Sequence, residues 1–251
     1  ITSFSSLTVD QDTGHLDCDS RKSDLSVPEA DLSNDIFSFP KGVRAGNFIH
    51  QVFEQTDFLD SSTSNGRAAV RHLLNVHGFS ERWLDIVLQM LTKVIHTPLN
   101  ASGSLHLSKV KRSRKISEME FYYPISGLRS TEFFELLAHH EFGSNKEQAL
   151  LSPIEFSALP GFMTGYIDLV FELEEKFWIV DYKSNHLGST IKDYESLMLE
   201  ATVAREGYAL QYLIYTLAVH CFLKKTLDNY EYDRHFGGVY YLFVRGMDPK
   251  F

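Results

Sequence analysis

Two aspartates and a lysine, Asp168, Asp181 and Lys183, are residue types that could hydrolyse a phosphodiester if the fold brought them together. Residues 165–173 and 176–184 read as strands joined by a tight turn at Glu174-Glu175. Side chains alternate along a strand, so Asp181 and Lys183 share a face with Phe177 and Ile179. In a symmetric hairpin, residues equally far from the turn face each other. Asp168 and Asp181 are such a pair, ~5 Å apart. Like charges so placed are destabilising unless something neutralises them, and a divalent cation does. Such an ion polarises a phosphoryl oxygen, lowers the pKa of a water and offsets transition-state charge. The lysine can orient or deprotonate the water, or stabilise developing charge. The same short pattern also suits two aspartates that flank a hairpin and point to solvent, and Glu-Glu is not the preferred Asn-Gly turn.

The elements that must position these groups follow from periodicity. Residues 46–58 predict a helix, with Phe48, Ile49, Val52 and Phe53 at helical spacing and His50 one turn before Glu54. After a polar break at 61–65, helices are expected at 67–77 and 80–92. The second is capped by Ser80, with Trp83, Ile86, Val87, Met90 and Leu91 on one stripe. Residues 98–115 form a turn-rich connection ending in the basic run Lys109, Lys111, Arg112, Arg114 and Lys115, a solvated face or a phosphate-tracking edge. A strand at 118–125 should stop near Pro124. A short helix at 131–138, a long amphipathic helix at 210–223 and a strand at 239–244 complete an α/β pattern.

The chain of 251 residues suits one large domain, or a domain with an appendage. Residues 1–35 read as a leading segment and acidic flexible linker. Residues 36–251 read as the main domain, with a helical insertion and basic connection at 61–115 and a core at 116–251. Cys18 and Cys221 cannot make a disulfide framework, which predicts a reducing, cytoplasmic setting. Nor can two thiols hold an iron–sulfur cluster. No apolar run approaches the ~20 residues that span a bilayer, so no membrane association is expected. The start at Ile1 has no basic region and no initiating Met, and reads as a piece of a longer polypeptide rather than a signal peptide. Of the net charge of −9, residues 10–35 carry −6, which leaves about −3 for the rest. Such a body binds DNA weakly by charge alone. Either other parts of a larger machine deliver DNA, or DNA is not the substrate.

Longer motifs decide between these alternatives. The run Pro160-Gly161-Phe162-Met163-Thr164-Gly165-Tyr166-Ile167-Asp168-Leu169-Val170-Phe171, followed by Val180-Asp181-Tyr182-Lys183-Ser184-Asn185, resembles the C-terminal nuclease domain of the RecB family of helicase–nuclease subunits. Gln211 and Tyr215 within residues 210–220 look like that family's Gln-x-x-x-Tyr helix, and residues 235–246 are similar to the segment after it. Upstream, Phe39-Pro40-Lys41-Gly42 and residues 46–54 resemble its histidine-bearing helix. Residues 118–125 resemble an acidic motif, and residues 2–7 resemble the family's opening. The matches keep their order along the chain and leave only about 8–35 and 61–115 poorly covered.

The resemblance implies a restriction-endonuclease-like PD-(D/E)xK core, a mixed central sheet flanked by helices. It implies a Mg²⁺-dependent deoxyribonuclease of the exodeoxyribonuclease V type, acting on single-stranded or unwound DNA in double-strand break repair and recombination. His50, Asp168 and Asp181 are then metal ligands, with the Tyr182 carbonyl as a backbone ligand. Lys183 is the catalytic lysine, Glu120 completes the acidic site, and Gln211 and Tyr215 position Lys183 or the phosphate. Because imidazole is soft for Mg²⁺, Mn²⁺ support is also expected. Implied partners are DNA, RecC- and RecD-like subunits and RecA. A docking module for that complex and an AddA-type nuclease are the alternatives. Taken alone, His50 suits a hydrogen-bonded core histidine, and the remaining histidines carry no partner pattern. No GxxxxGK[ST] phosphate loop is present, so ATP hydrolysis is not expected of this chain.

Overall fold

The computed structural model describes residues 2–3, 35–59, 63–125 and 161–250. The acidic linker, Cys18, the helix expected at 131–138 and most of the leading motif lie outside the described residues. The chain divides into two compact units. Among the described residues the larger comprises 35–59, 63–118, 168–195 and 233–250. The smaller comprises 2–3, 119–125, 161–167 and 196–232.

Helices α1 (Val43–Gln55), α2 (Ser64–Val76) and α3 (Leu84–His96) belong to the larger unit. On α1, Phe48, Ile49, Val52 and Phe53 are buried, as the period of the apolar residues requires. Ser80 does act as a cap, but of a 3-10 turn, Glu81–Trp83, that precedes α3. Strands β1 (Thr2–Ser3), β2 (Lys115–Ile125), β3 (Gly161–Leu173), β4 (Lys176–Lys183) and β5 (Phe236–Phe243) make a mixed sheet in the order β1-β3-β4-β5, with β2 also paired to β3. β2 ends at Ile125, beside Pro124 as expected, but starts at Lys115, three residues before the expected start.

The β3–β4 hairpin has the register expected from its symmetry, with Leu169 opposite Val180, Phe171 opposite Trp178 and Leu173 opposite Lys176. Glu174 and Glu175 take φ of 55° and 60°, which makes the connection a two-residue turn of the I′ kind. β4 then pairs in parallel with β5, and the register slips by one residue between Phe177 and Trp178. Gly237 falls at that bulge because a Cβ there would lie 2.4 Å from the Trp178 ring. One apolar cluster joins the buried faces of α1, α2 and α3 to Leu169, Phe171, Val180, Tyr182, Leu242 and Val244. By alternation, Asp168, Asp181 and Lys183 stand on the opposite strand face.

In the smaller unit β1 pairs in parallel with the start of β3, Thr2 opposite Met163. Helices α4 (Ser196–Arg205) and α5 (Tyr208–Thr226) pack on each other. The expected amphipathic helix at 210–223 is longer, and apolar nearly all round. It buries Gln211, Ile214, Tyr215, Ala218 and Val219, yet leaves Leu217 47% exposed.

Candidate metal centre

β3 and β4 carry Asp168 and Asp181 on neighbouring strands, one position beyond the last registered pair, Leu169 and Val180. The Asp168 Oδ2 accepts the backbone N–H of Tyr182 at 2.7 Å and lies 3.3 Å from His50 Nδ1. His50 projects from α1, whose position is set by the burial of Phe48, Ile49, Val52 and Phe53. Tyr182 points the other way, into the core, and stacks on Phe53 with ring centroids 4.2 Å apart. Its side chain thus fixes the strand while its backbone serves the site.

Asp181 and Lys183 are both buried, and the lysine Nζ lies 2.6 Å from Asp181 Oδ2. The contact is a buried ion pair. The ammonium also stands 5.2 Å from the ring centroid of Tyr241, which neighbours Asp181 across the β4–β5 ladder. Burial pushes Asp181 up to about 6, with Lys183 opposing the rise and Asp168 adding to it. Burial favours the neutral form of Asp168 as well. There, His50, the Tyr182 N–H and Lys183 outweigh it, and its carboxyl is held below the usual range.

A third carboxylate belongs to Glu118. Ligand atoms of His50, Glu118 and Asp168 all lie within 4.8 Å of one another. Glu118 is exposed as a residue, but burial of its carboxylate, and then the Asp168 charge, hold its pKa up. Its φ of +50° is left-handed within a strand, a strained state that persists where the surroundings over-determine it. The carboxylates of Glu118 and Asp168, the imidazole of His50 and the neighbouring buried carboxylate of Asp181 form a hard-donor set with one nitrogen. That set suits a divalent cation.

Of the residues expected from sequence, the structure brings His50, Asp168, Asp181, Tyr182 and Lys183 together in the larger unit. The other three belong to the smaller unit. Glu120 accepts from the Tyr166 hydroxyl at 3.4 Å. Gln211 Nε2 donates to the Tyr215 hydroxyl at 3.0 Å, and Tyr215 meets Phe121 edge-on. Glu118 was legible only as half of a Glu-Met-Glu alternation, which puts two carboxylates on one strand face and cannot choose between them. Arg245 lies within the motif at 235–246, and its spacing carries no expectation of its own. It is 1% exposed and donates to the carbonyls of Ser184, Ile36, Phe39 and Pro40, tying the end of β4 to the approach to α1. His77 and His186 bond Gln51 and the Phe37 carbonyl.

Comparison with known proteins shows the family. The family model of the PD-(D/E)XK nuclease superfamily matches residues 25–249. The chain is 36% identical over 260 residues to "RecBCD enzyme subunit RecB" of Escherichia coli (strain K12), covering 100% of the chain and 21% of that protein. To the protein of the same name from Haemophilus influenzae it is 36% identical over 219 residues, 86% of the chain and 17% of the relative. To that of Mycobacterium tuberculosis (strain H37Rv) it is 31% identical over 242 residues, 87% and 22% respectively. The chain therefore spans about a fifth of the length of these relatives.

Proposed function

The chain belongs to the PD-(D/E)XK nuclease superfamily as a RecB-type nuclease domain, and from this we propose that it cuts DNA with Mg²⁺, in double-strand break repair and recombination. The observation that carries the reading is the convergence of His50, Glu118 and Asp168 beside the buried Asp181–Lys183 pair. In this reading His50, Asp168, Asp181, the Tyr182 carbonyl and Glu118 hold the cation. When bound, the cation supplies Lewis-acid polarisation of the scissile phosphate and a more acidic water. Mn²⁺ should serve as well, given the imidazole.

The protein's own groups do the rest. The Asp168 carboxylate, fixed by the Tyr182 N–H, presents its remaining lone pairs in a set direction. Asp181 holds the Lys183 ammonium in a buried setting, where its charge is worth more than in water. From there Lys183 orients the attacking water and neutralises charge that develops on the phosphate. For Glu120, Gln211 and Tyr215 we propose a part in catalysis on the resemblance alone.

The test is cleavage of single-stranded DNA with Mg²⁺. Asp181→Ala and Lys183→Ala should each lower the rate by at least about 10²-fold, the scale of losing one preorganised charge-stabilising group. Variants that cut as well as the parent would end this reading.

Its relatives are named as subunits of a RecBCD enzyme, which supports a RecBCD-like assembly as the setting, and RecC- and RecD-like subunits and RecA are proposed as partners on the resemblance. A second role, docking within such an assembly, is favoured by the apolar surface of the smaller unit, where Leu197 is 79% and Met198 48% exposed. Docking should survive Asp181→Ala, which separates the two roles. Among the described residues no helix is long and apolar enough to cross a membrane.

A further inference from the structure

We propose that residues 109–115 form an edge that tracks the phosphates of a single DNA strand, with Lys111 and Arg112 as its contacting cations. The choice of DNA rests on the nuclease reading above, while the choice of residues rests on how the structure uses each charge. Five cations and no acid stand in these seven positions, in a chain whose net charge is −9. The run follows the 3-10 turn Leu107–Lys109 and contains another, Arg112–Arg114.

The five are not equivalent. Arg114 is ion-paired with Glu172 on β3. Lys115 stands 3.8 Å over the Phe58 ring and donates to the Thr56 carbonyl at 3.3 Å, with Asp57 close enough to favour its charge. These two fasten the segment to β3 and to the end of α1. Lys109 bonds the Ser104 carbonyl at 2.7 Å. Lys111 and Arg112 are exposed, and among the described residues neither has an ion-pair partner. A solvated charge run needs no anchoring. This one is pinned at one end and presents its unused charges from a short fixed turn.

Both anchors also place the edge near the candidate centre. From Lys115, β2 runs three residues to Glu118, roughly 10 Å at the usual rise. From Thr56 back along α1 to His50 is six residues, roughly 9 Å. A strand with one phosphate at the centre would lay its next few phosphates within reach of Lys111 and Arg112. Contacts of this kind position a backbone without reading sequence, as an enzyme acting on any unwound strand requires. They also give an acidic chain a local attraction for its substrate.

The experiment is the salt dependence of binding of the 251-residue chain to a fluorescent oligo(dT) of about 20 nucleotides, followed by anisotropy with Ca²⁺ replacing Mg²⁺. Each phosphate contact contributes about 0.7 to the slope of log K against log salt for a single strand. Lys111→Ala/Arg112→Ala should lower the slope by about 1.4, and the Gln pair should do the same. The control pair Lys224→Ala/Lys225→Ala makes an equal change in net charge at the exposed end of α5, and should leave the slope where it was. Equal slopes for both pairs, or a parent chain that does not bind oligo(dT), would overturn the proposal. Mg²⁺-supported cleavage with an unchanged slope sinks the edge and spares the nuclease. Edge-dependent binding without cleavage sinks the nuclease and spares the edge.

Discussion

At the scale of single residues, the site is a problem in charge. Asp181 is buried, with Asp168 adding to its resistance to ionisation, and its carboxyl titrates near 6, above its value in an unfolded chain. In the cation-free protein the sign follows directly. A raised carboxyl pKa favours folding while the group is protonated, fully so below the unfolded value. The contribution is lost as pH rises through about 6. At neutral pH the cation-free fold therefore tolerates an ionised, desolvated aspartate, and a bound cation relieves it. Proton and cation compete for one oxygen. Mn²⁺ affinity, measured by calorimetry, should accordingly weaken about tenfold as pH falls from about 7 to about 5, approaching one decade per unit below the Asp181 pKa. A flat affinity over that range would mean that Asp181 is not a ligand. Lys183 is held in register with this exchange by Asp181 on one side and the Tyr241 ring on the other.

At the scale of elements, the hairpin is the part on which the site most depends, and its turn is locally unfavourable. Glu174 and Glu175 both occupy the left-handed region, where a residue with a Cβ is held at a cost of about 1–2 kcal/mol. In a two-residue connection the I′ turn matches the twist of the flanking strands, and it requires positive φ at both central residues. Glu174→Asn/Glu175→Gly should therefore stabilise the protein by about 1 kcal/mol, read as a higher urea midpoint with unchanged slope. It should leave DNA cleavage intact, because the registered pairs from Leu169 to Leu173 already fix Asp168 against β4. A lower midpoint would show that the two glutamates make contacts that outweigh their backbone strain.

At the scale of the whole molecule, Arg245 joins parts of the larger unit that lie far apart in sequence. Its guanidinium spans from Ser184, just after β4, to Ile36, Phe39 and Pro40 before α1. Arg245→Met would fill much of the volume yet leave four carbonyls without this donor. A loss of at least about 3 kcal/mol is expected, since each buried carbonyl left without a donor costs about 1–3 kcal/mol. Thermal unfolding in the presence and absence of Mn²⁺ checks it. The variant should melt lower in both, and His50 should bind metal less well if the tie sets the position of α1.

Sequence alone determined what is local or repeated at short period. The apolar spacing on α1, the alternation along β3 and β4, and the symmetric register that made neighbours of Asp168 and Asp181 all follow from backbone geometry, which is the same in every protein. Motif order then identified the family, and the comparisons agree. Tertiary structure decided what depends on departures from that geometry or on contacts between distant segments. A left-handed φ at Glu118 brought its carboxylate to His50 and Asp168, where alternation left Glu118 and Glu120 equivalent. Of five cations in one run, packing spent two as anchors and left Lys111 and Arg112 unpaired, a division that no spacing encodes because the partners, Phe58 and Glu172, come from other elements.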